Sequence, residues 1–343
     1  MDPIIIVIVV ATLLLAFGIG SNDETMASVV GSGTLTLNKS VIWGAILACA
    51  GCIVLSDRVG ENIGSNLFSG DLLAEYDYKM MLAIILSASI WLVVASKFGA
   101  PISTTHSVVG AVIGVALVWS FIPGNDFIYA LNWAKLGTVA LGWIVSPILG
   151  FLVAAFFQFI LQKAIRRKYR RDGKIGFEEI EKNERFLQYF LLLFISVTEF
   201  SRGGNDSANA TGIYFNLIST EQISGLFSNI LLVLTGIMIG VGLIAVGRNV
   251  IKNVGSSLIE MRPSDAIAIE FANGIVILSC TLLRLPISAS HVLIFAIIGS
   301  GIVKREKPNW KSLKSMIMAW IVTFPIAAAL SGLFYLGFYF IPG

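Results

Sequence analysis

The segment Pro-Ile-Ser-Thr-Thr-His at residues 101–106 decides the fold, because it recurs as Pro-Ile-Ser-Ala-Ser-His at residues 286–291. These two segments contain the only two histidines of the chain. A second motif pair precedes them, with Gly-Ser-Asn-Asp at residues 20–23 and Gly-Asn-Asp at residues 204–206. The prolines are 185 positions apart and the asparagines 183. Two motifs that recur in the same order at nearly one offset predict an internal repeat.

The composition indicates that lipid surrounds this repeat. Of the 343 residues, 56% are apolar and 13% are charged, and the mean hydropathy is +0.84. A soluble domain of this length would need far more polar surface. The apolar runs are long and do not alternate with polar residues, which favours helices over a closed barrel. Ten runs are candidate spans, at residues 3–20, 41–55, 80–96, 101–122, 133–161, 186–200, 224–246, 265–283, 286–303 and 312–340.

Several runs are too short or too long for one helix that crosses about 30 Å of hydrocarbon. We therefore expect re-entrant or broken segments among the short runs and helix pairs among the longest. The sequence predicts an all-α polytopic membrane protein of about 10–12 transmembrane or re-entrant helical segments. Five spans per half is an odd number, so the second half would be inverted in the membrane, and the fold would consist of two inverted-topology repeats.

Charge in the connecting tracts predicts the orientation. Residues 162–185 carry nine Lys or Arg residues, and such tracts favour the cytoplasmic side. The tract at 57–79 is acidic and is expected outside. We predict a first repeat at residues 1–161, a basic cytoplasmic loop at 162–185 and a second repeat at 186–343. The protein is expected to be a multi-pass protein of the cell (plasma) membrane with both termini external.

The paired Asn-Asp motifs are candidate cation sites. Asp23 and Asp206 follow apolar runs, and a carboxylate at membrane depth normally pairs, binds a cation or lines a wet cavity. The glycines around both motifs would weaken or break a helix and expose carbonyl oxygens. Carboxylate, amide and carbonyl oxygens, including those of Asn22 and Asn205, are hard ligands of the kind that Na⁺ or Mg²⁺ prefers. The alternative is that each acid lies hydrated in an interfacial loop.

The Pro-Ile-Ser motifs are a candidate anion site. Proline is favoured at the first position of a helix, so Pro101 and Pro286 are expected to begin helices. Free amides, the helix dipole and hydroxyl donors together bind an anion without Arg or Lys. The hydroxyl donors are Ser103, Thr104, Thr105, Ser288 and Ser290. Alternatively these hydroxyls hold membrane helices together, and we interpret His106 and His291 as hydrogen-bonded structural histidines rather than proton carriers.

Glu270 lies inside an otherwise apolar run and is a functional candidate for that reason. The corresponding position of the first half is Ile85, so the acid is not duplicated. A cation ligand, a proton site and a structural partner remain open for Glu270, and Glu199 is a weaker candidate. The arginines that flank the motifs are interpreted as interfacial anchors and topology signals rather than phosphate ligands. They are Arg58, Arg202, Arg248 and Arg284.

These motifs together resemble a known family. Residues 20–34 and 203–212 are similar to the paired Gly-Ala-Asn-Asp-Val-Ala-Asn-Ala signatures of the inorganic phosphate transporter (Pit) family, and residues 101–106 and 286–291 to its paired Pro-Val-Ser-Thr-Thr-His segments. Glu270 also looks like a family acid. The resemblance implies uptake of inorganic phosphate coupled to Na⁺ or H⁺.

The sequence also departs from the family pattern. The second asparagine of the first signature is replaced by Ala27 or Ser28, whereas the second half keeps it as Asn209. The second hydroxyl motif has Ala289 where threonine is expected. The two halves are therefore chemically unequal.

We expect a secondary active symporter that imports phosphate by alternating access around a midplane site. The expected phosphate ligands are Ser103, Thr104, Thr105, Ser288, Ser290, Asn22 and Asn205. The expected Na⁺ ligands are Asn22, Asp23, Asn205, Asp206, Asn209 and Glu270. Phosphate, Na⁺ (with H⁺ as the alternative coupling ion) and the lipid bilayer are the expected partners, without a cofactor or a nucleic acid; a homo-oligomer is left open.

Three other functions are alternatives to a phosphate symporter. A permease for sulfate or another oxyanion would have the same fold. An intramembrane hydrolase would use a serine with His106 or His291, but the chain has no Gly-x-Ser-x-Gly or His-Glu-x-x-His motif, so we do not expect an enzyme. A passive channel would differ from a symporter in not concentrating its substrate.

Overall fold

The computed structural model describes residues 3–60, 67–171, 177–219 and 225–340, and the regular elements of this part of the chain are all helices, without a strand. Residues 61–66 of the acidic tract, residues 172–176 of the basic tract, the side chain of Arg58 and residue 224 of the seventh run lie outside the described residues. The helices are α1 (Pro3–Ser21), α2 (Ala27–Gly31), α3 (Leu37–Gly60), α4 (Gly70–Ala74), α5 (Tyr78–Lys97), α6 (Thr104–Trp119), α7 (Phe127–Ala130), α8 (Trp133–Arg171), α9 (Phe177–Ser219), α10 (Gly225–Gly242), α11 (Arg248–Ser257), α12 (Pro263–Leu282), α13 (Ala289–Lys304) and α14 (Trp310–Tyr339). A π-helical turn, Leu243–Gly247, joins α10 to α11.

Seven helical stretches of the described chain are long and apolar enough to cross a membrane. The two shorter apolar helices, α6 and α13, have 16 residues each, which gives about 24 Å at 1.5 Å per residue, less than the hydrocarbon thickness. The all-α polytopic fold is therefore confirmed. The expectation of helix pairs in the longest runs is wrong, because α8 and α14 are single helices that contain Pro147 and Pro325.

The basic tract at 162–185 is not a loop in its described part. Residues 162–171 are the last turns of α8, and residues 177–185 are the first turns of α9. The Lys and Arg residues of the described part of the tract therefore belong to helix ends that extend beyond the apolar runs.

The two Asn-Asp motifs have different backbones. In the first half the chain leaves the helix after Ser21, and α2 begins only at Ala27, as expected for a glycine-weakened segment. In the second half α9 runs without a break through Gly203 and Gly204, so the predicted break is wrong there. A side-chain carbon on Gly203 would lie 2.3 Å from the carbonyl oxygen of Ala48, so this glycine permits close packing of α9 on α3 rather than a kink.

The Pro-led segments begin their helices three residues later than predicted. Residues 101–103 and 286–288 are extended, and α6 and α13 begin at Thr104 and Ala289. Serine takes the N-cap position in both cases. Ser103 Oγ accepts a hydrogen bond from the backbone N–H of His106 at 3.2 Å, and Ser288 Oγ accepts one from His291 at 3.4 Å. Capping by serine satisfies one of the free amides of each first turn.

Candidate functional site

Asn22 holds the first Pro-led segment in place. Its side-chain amide donates to Ser96 Oγ at 2.9 Å and to the carbonyl of Ala100 at 3.0 Å. Its side-chain oxygen accepts from the backbone N–H of Ile102 at 2.8 Å. The side chain is 1% exposed. Asn22 therefore fixes the extended backbone that leads into α6.

Asn205 makes the corresponding contacts with the second segment. Its amide donates to Thr281 Oγ1 at 3.1 Å and to the carbonyl of Leu285 at 3.2 Å. Its oxygen lies 3.5 Å from the backbone N–H of Ile287. Each partner is 185 positions after its counterpart in the first half. The arrangement is thus repeated, although the contacts of Asn205 are longer.

The two Pro-led segments converge and exchange hydrogen bonds. Thr105 Oγ1 donates to the carbonyl of Ile287 at 3.1 Å, and Ser290 Oγ donates to the carbonyl of Ile102 at 3.2 Å. Trp320 on α14 donates its ring N–H to the carbonyl of Pro101 at 2.9 Å. The starts of α6 and α13 therefore face one shared region, where their first-turn amides and the dipoles of both helices favour an anion.

A buried arginine connects the Asn-Asp motifs of the two halves. Arg202 is 2% exposed. Its Nε donates to Asp206 Oδ2 at 2.9 Å, and its Nη1 lies 2.9 Å from Glu24 Oε1 and 3.4 Å from Asp23 Oδ1. The interpretation of Arg202 as an interfacial anchor is therefore wrong. An unpaired guanidinium inside a membrane protein would be very costly, and three carboxylates offset that cost.

Other buried oxygens lack a donor. Glu270 accepts from Ser28 Oγ at 2.6 Å through Oε1, but its Oε2 has no hydrogen-bonding partner among the described residues. The same holds for both carboxylate oxygens of Glu199 and for the side-chain oxygens of Asn209 and Asn273. All four side chains are 0% exposed. The carboxylate oxygens among them can accept a proton, and all of them can coordinate a hard cation.

The predicted Na⁺ ligands stay a prediction, because their set includes amide oxygens as well as carboxylates. Within residues 3–60, 67–171, 177–219 and 225–340, no three acidic, histidine or cysteine side chains are grouped to hold an ion. Asp23 and Asp206 are instead drawn to Arg202. Asn209 donates its amide to the carbonyl of Asp206 at 3.1 Å, and its side-chain oxygen has no partner among the described residues.

The two histidines meet at the convergence of α6 and α13. Their ring centroids are 4.9 Å apart. His106 also contacts Trp143, and His291 contacts Trp320, both at 4.0 Å between centroids. The expectation that they are hydrogen-bonded through their rings is not met for His106 Nδ1 and His291 Nε2, which have no partner in the described part of the chain.

Comparison with known proteins identifies the family. The sequence pattern of the phosphate transporter family matches residues 17–331. The chain belongs to the phosphate transporter family. This transporter is 27% identical to a predicted phosphate permease of Pyrococcus abyssi, over 98% of either chain. It is also 27% identical to one of Thermococcus kodakarensis, over 96% of this chain and 97% of that one.

A solved structure has the same fold as this transporter. It is described as the sodium-dependent phosphate transporter, with a TM-score of 0.82 and 24% identity over 99% of this chain and 100% of that chain. Membership of a transporter family means that the chain is a multi-pass membrane transporter and not an enzyme, which excludes the intramembrane hydrolase.

The sequence alone pointed to part of this candidate site and left out two of its members. It named the hydroxyl motifs and both Asn-Asp pairs, which the structure brings together. It did not name Glu24, and it gave Arg202 a different role. The missed signal was that Arg202, just after the apolar run at 186–200, lies four positions before Asp206, a spacing that pairs opposite charges on one helix face.

Proposed function

We propose that the protein imports inorganic phosphate together with Na⁺ by alternating access. The observation that carries this proposal is the convergence of two serine-capped helix starts on one region beside buried carboxylates. The phosphate would lie between α6 and α13, held by first-turn amides and by the hydroxyls of Ser103, Thr104, Thr105, Ser288 and Ser290. The Thr105 and Ser290 hydroxyls would rotate from the carbonyls of Ile287 and Ile102 to donate to it. In this proposal Asn22 and Asn205 act by positioning the two segments, because their amides are already bonded to them.

The charge of the cluster supports coupling to a cation. Asp23, Glu24, Glu199, Asp206 and Glu270 are buried together with one arginine, so the formal charge with all groups ionised is −4. An incoming phosphate would be repelled by that charge. Cations bound at the acids would lower the repulsion, and each ligand would then raise the affinity of the other by the same factor.

Two features support Na⁺ as the coupling ion. The oxygens without donors, on Glu199, Asn209, Glu270 and Asn273, are hard ligands. The solved structure that shares the fold is described as sodium-dependent. A proton on Glu270 would satisfy its unpaired oxygen as well, so proton coupling is the second candidate for the same step.

The orientation belongs to the same proposal. The basic ends of α8 and α9 would face the cytoplasm and both termini would be external, with the two halves inverted relative to each other. A single cysteine in place of the exposed Lys163 tests the sidedness. A membrane-impermeant thiol reagent should label it only after the cell is permeabilised.

Uptake of radiolabelled phosphate into proteoliposomes tests the function. We expect concentrative uptake when an inward Na⁺ gradient is imposed, and none when the gradient is collapsed. Uptake driven by a pH gradient alone would replace Na⁺ by H⁺. Equilibration without any cation gradient would show a channel, and competition by sulfate with the same affinity as phosphate would show a general oxyanion permease.

A further inference from the structure

The carboxylate of Glu24 is bound in the way that an anionic ligand would be. Arg202 Nη1 donates to Glu24 Oε1 at 2.9 Å, and Nη2 donates to Glu24 Oε2 at 3.2 Å. Both side chains are almost fully buried, at 0% and 2% exposed. Two parallel contacts from one guanidinium are the geometry with which arginine recognises either a carboxylate or a phosphate.

Glu24 also reaches the proposed substrate region. Its carboxylate lies close enough to the Ser290 hydroxyl at the start of α13 for an electrostatic interaction, while the Ser290 proton itself is donated to the carbonyl of Ile102 in the opposite segment. The Glu24 carboxylate is thus placed between the guanidinium of Arg202 and one of the two helix starts that are proposed to hold phosphate.

The pair has no counterpart across the repeat. At the offset of the asparagines, Glu24 corresponds to Ser207 and Arg202 to Ile19. Glu24 also stands where the family signature given above has valine. Among the described residues, Arg202 is the one Lys or Arg side chain that is buried. The repeat counterparts of this charge pair are a hydroxyl and an apolar residue. Burying two charges there is costly unless they are well matched, so we infer that the pair has a function.

We propose that Glu24 is a tethered competitor of the substrate. In the empty transporter it occupies Arg202, and phosphate takes its place on the guanidinium when it binds. This inference rests on the proposed function, since it assigns one more phosphate ligand to the same site. The exchange keeps Arg202 paired at every stage. It also releases a buried carboxylate, which must then take up a cation or a proton, so the arrival of phosphate would favour cation binding.

The test is a double-mutant cycle on phosphate affinity. Radiolabelled phosphate is bound to the purified full-length protein in saturating Na⁺ for the wild type, E24Q, R202Q and the double variant. Because E24Q removes the competing charge, we expect it to tighten phosphate binding about tenfold, which corresponds to about 1.4 kcal/mol. R202Q should weaken binding. In the R202Q background, E24Q should have no further effect, since nothing remains to compete for.

Each other outcome overturns the inference. If Glu24 and Arg202 form only a structural link, E24Q will leave binding unchanged or weaken it. If Glu24 acts only through general repulsion, E24Q will tighten binding equally in both backgrounds. D206N serves as the matched control, because Asp206 contacts the same guanidinium through Nε. Equal tightening by D206N and E24Q would again indicate general repulsion, and this comparison holds even where R202Q does not fold.

The failure of this inference is distinguishable from failure of the proposed function. A wild-type protein that binds phosphate, together with an E24Q variant that binds it no more tightly, overturns only the role of Glu24. A folded wild-type protein that binds no phosphate at any Na⁺ concentration overturns both.

Discussion

Asn22 and Asn205 hold the two Pro-led segments at repeated positions, but replacing each by alanine should lower the stability of the protein by unequal amounts. In N22A, the backbone N–H of Ile102 and the carbonyl of Ala100 lose partners at 2.8 and 3.0 Å. Ser96 keeps its own bond to the carbonyl of Leu92 at 2.6 Å, so its hydroxyl stays satisfied. A buried polar group without a partner costs about 1–3 kcal/mol. Two such groups make N22A destabilising by about 2–6 kcal/mol.

In N205A the corresponding loss is smaller. The contact to the backbone N–H of Ile287 is 3.5 Å long and contributes little before it is removed. Thr281 keeps its bond to the carbonyl of Ile277 at 2.8 Å. Only the carbonyl of Leu285 loses a partner at ordinary hydrogen-bonding distance, at 3.2 Å, so we expect a cost of about 1–3 kcal/mol.

Thermal unfolding in detergent and phosphate uptake in proteoliposomes measure the difference. N22A should melt at a lower temperature than N205A and should lose more of its uptake. N125A provides a control, because Asn125 makes a single bond to the carbonyl of Trp119 outside the site. An N205A variant that is as unstable as N22A would refute the reasoning, since it would show that the contact lengths do not determine the cost.

Three further predictions concern packing, the crossed hydrogen bonds and the cation. A side-chain carbon on Gly51 would lie 1.8 Å from a carbonyl oxygen of α9, so G51A should abolish uptake and lower the melting temperature. G137A is the control, because Gly137 has open space around it and alanine there should be neutral or slightly stabilising. Similar behaviour of the two variants would count against close packing of α3 on α9. T105V removes the hydroxyl that donates to the carbonyl of Ile287. It should weaken phosphate binding about threefold to thirtyfold, because a hydrogen bond of about 1 kcal/mol and a substrate contact are lost. Unchanged phosphate binding would place the anion elsewhere. E270Q should reduce the Na⁺ dependence of phosphate affinity in the same binding assay, and an unaltered Na⁺ dependence would remove Glu270 from the cation site.

Much of the fold was predictable because the signals are local and repeated. Apolar runs of fixed length predict membrane helices from the cost of exposing backbone to lipid. The recurrence of Pro-Ile-Ser at one offset predicts that the two segments are equivalent. The equivalence also includes contacts from residues outside the motifs, because Ser96 and Thr281 bind Asn22 and Asn205 at corresponding positions.

The parts that sequence reasoning missed depend on tertiary contacts. Whether Gly203 breaks a helix or admits a neighbour depends on the carbonyl of Ala48, 155 positions earlier in the chain. Whether Arg202 anchors the protein at the interface or pairs inside it depends on Glu24, 178 positions away. No local pattern contains these distances. The start of α6 differs from the prediction for a local reason. Ser103 is a better N-cap than Ala100, the residue before Pro101, so the helix begins after Ser103.

The hydrogen bonds between the first Pro-led segment and the second half of the chain also have a consequence for membrane insertion during synthesis. The carbonyl of Ile102 receives its donor from Ser290, 188 positions later, and that of Pro101 from Trp320, 219 positions later. When the amino-terminal half leaves the ribosome, both carbonyls therefore await partners that have not been made. Hydrocarbon offers no substitute for those donors. The growing chain must keep this segment near water or the insertion machinery until α14 is made, so α14, the final helix of the described residues, completes the start of α6.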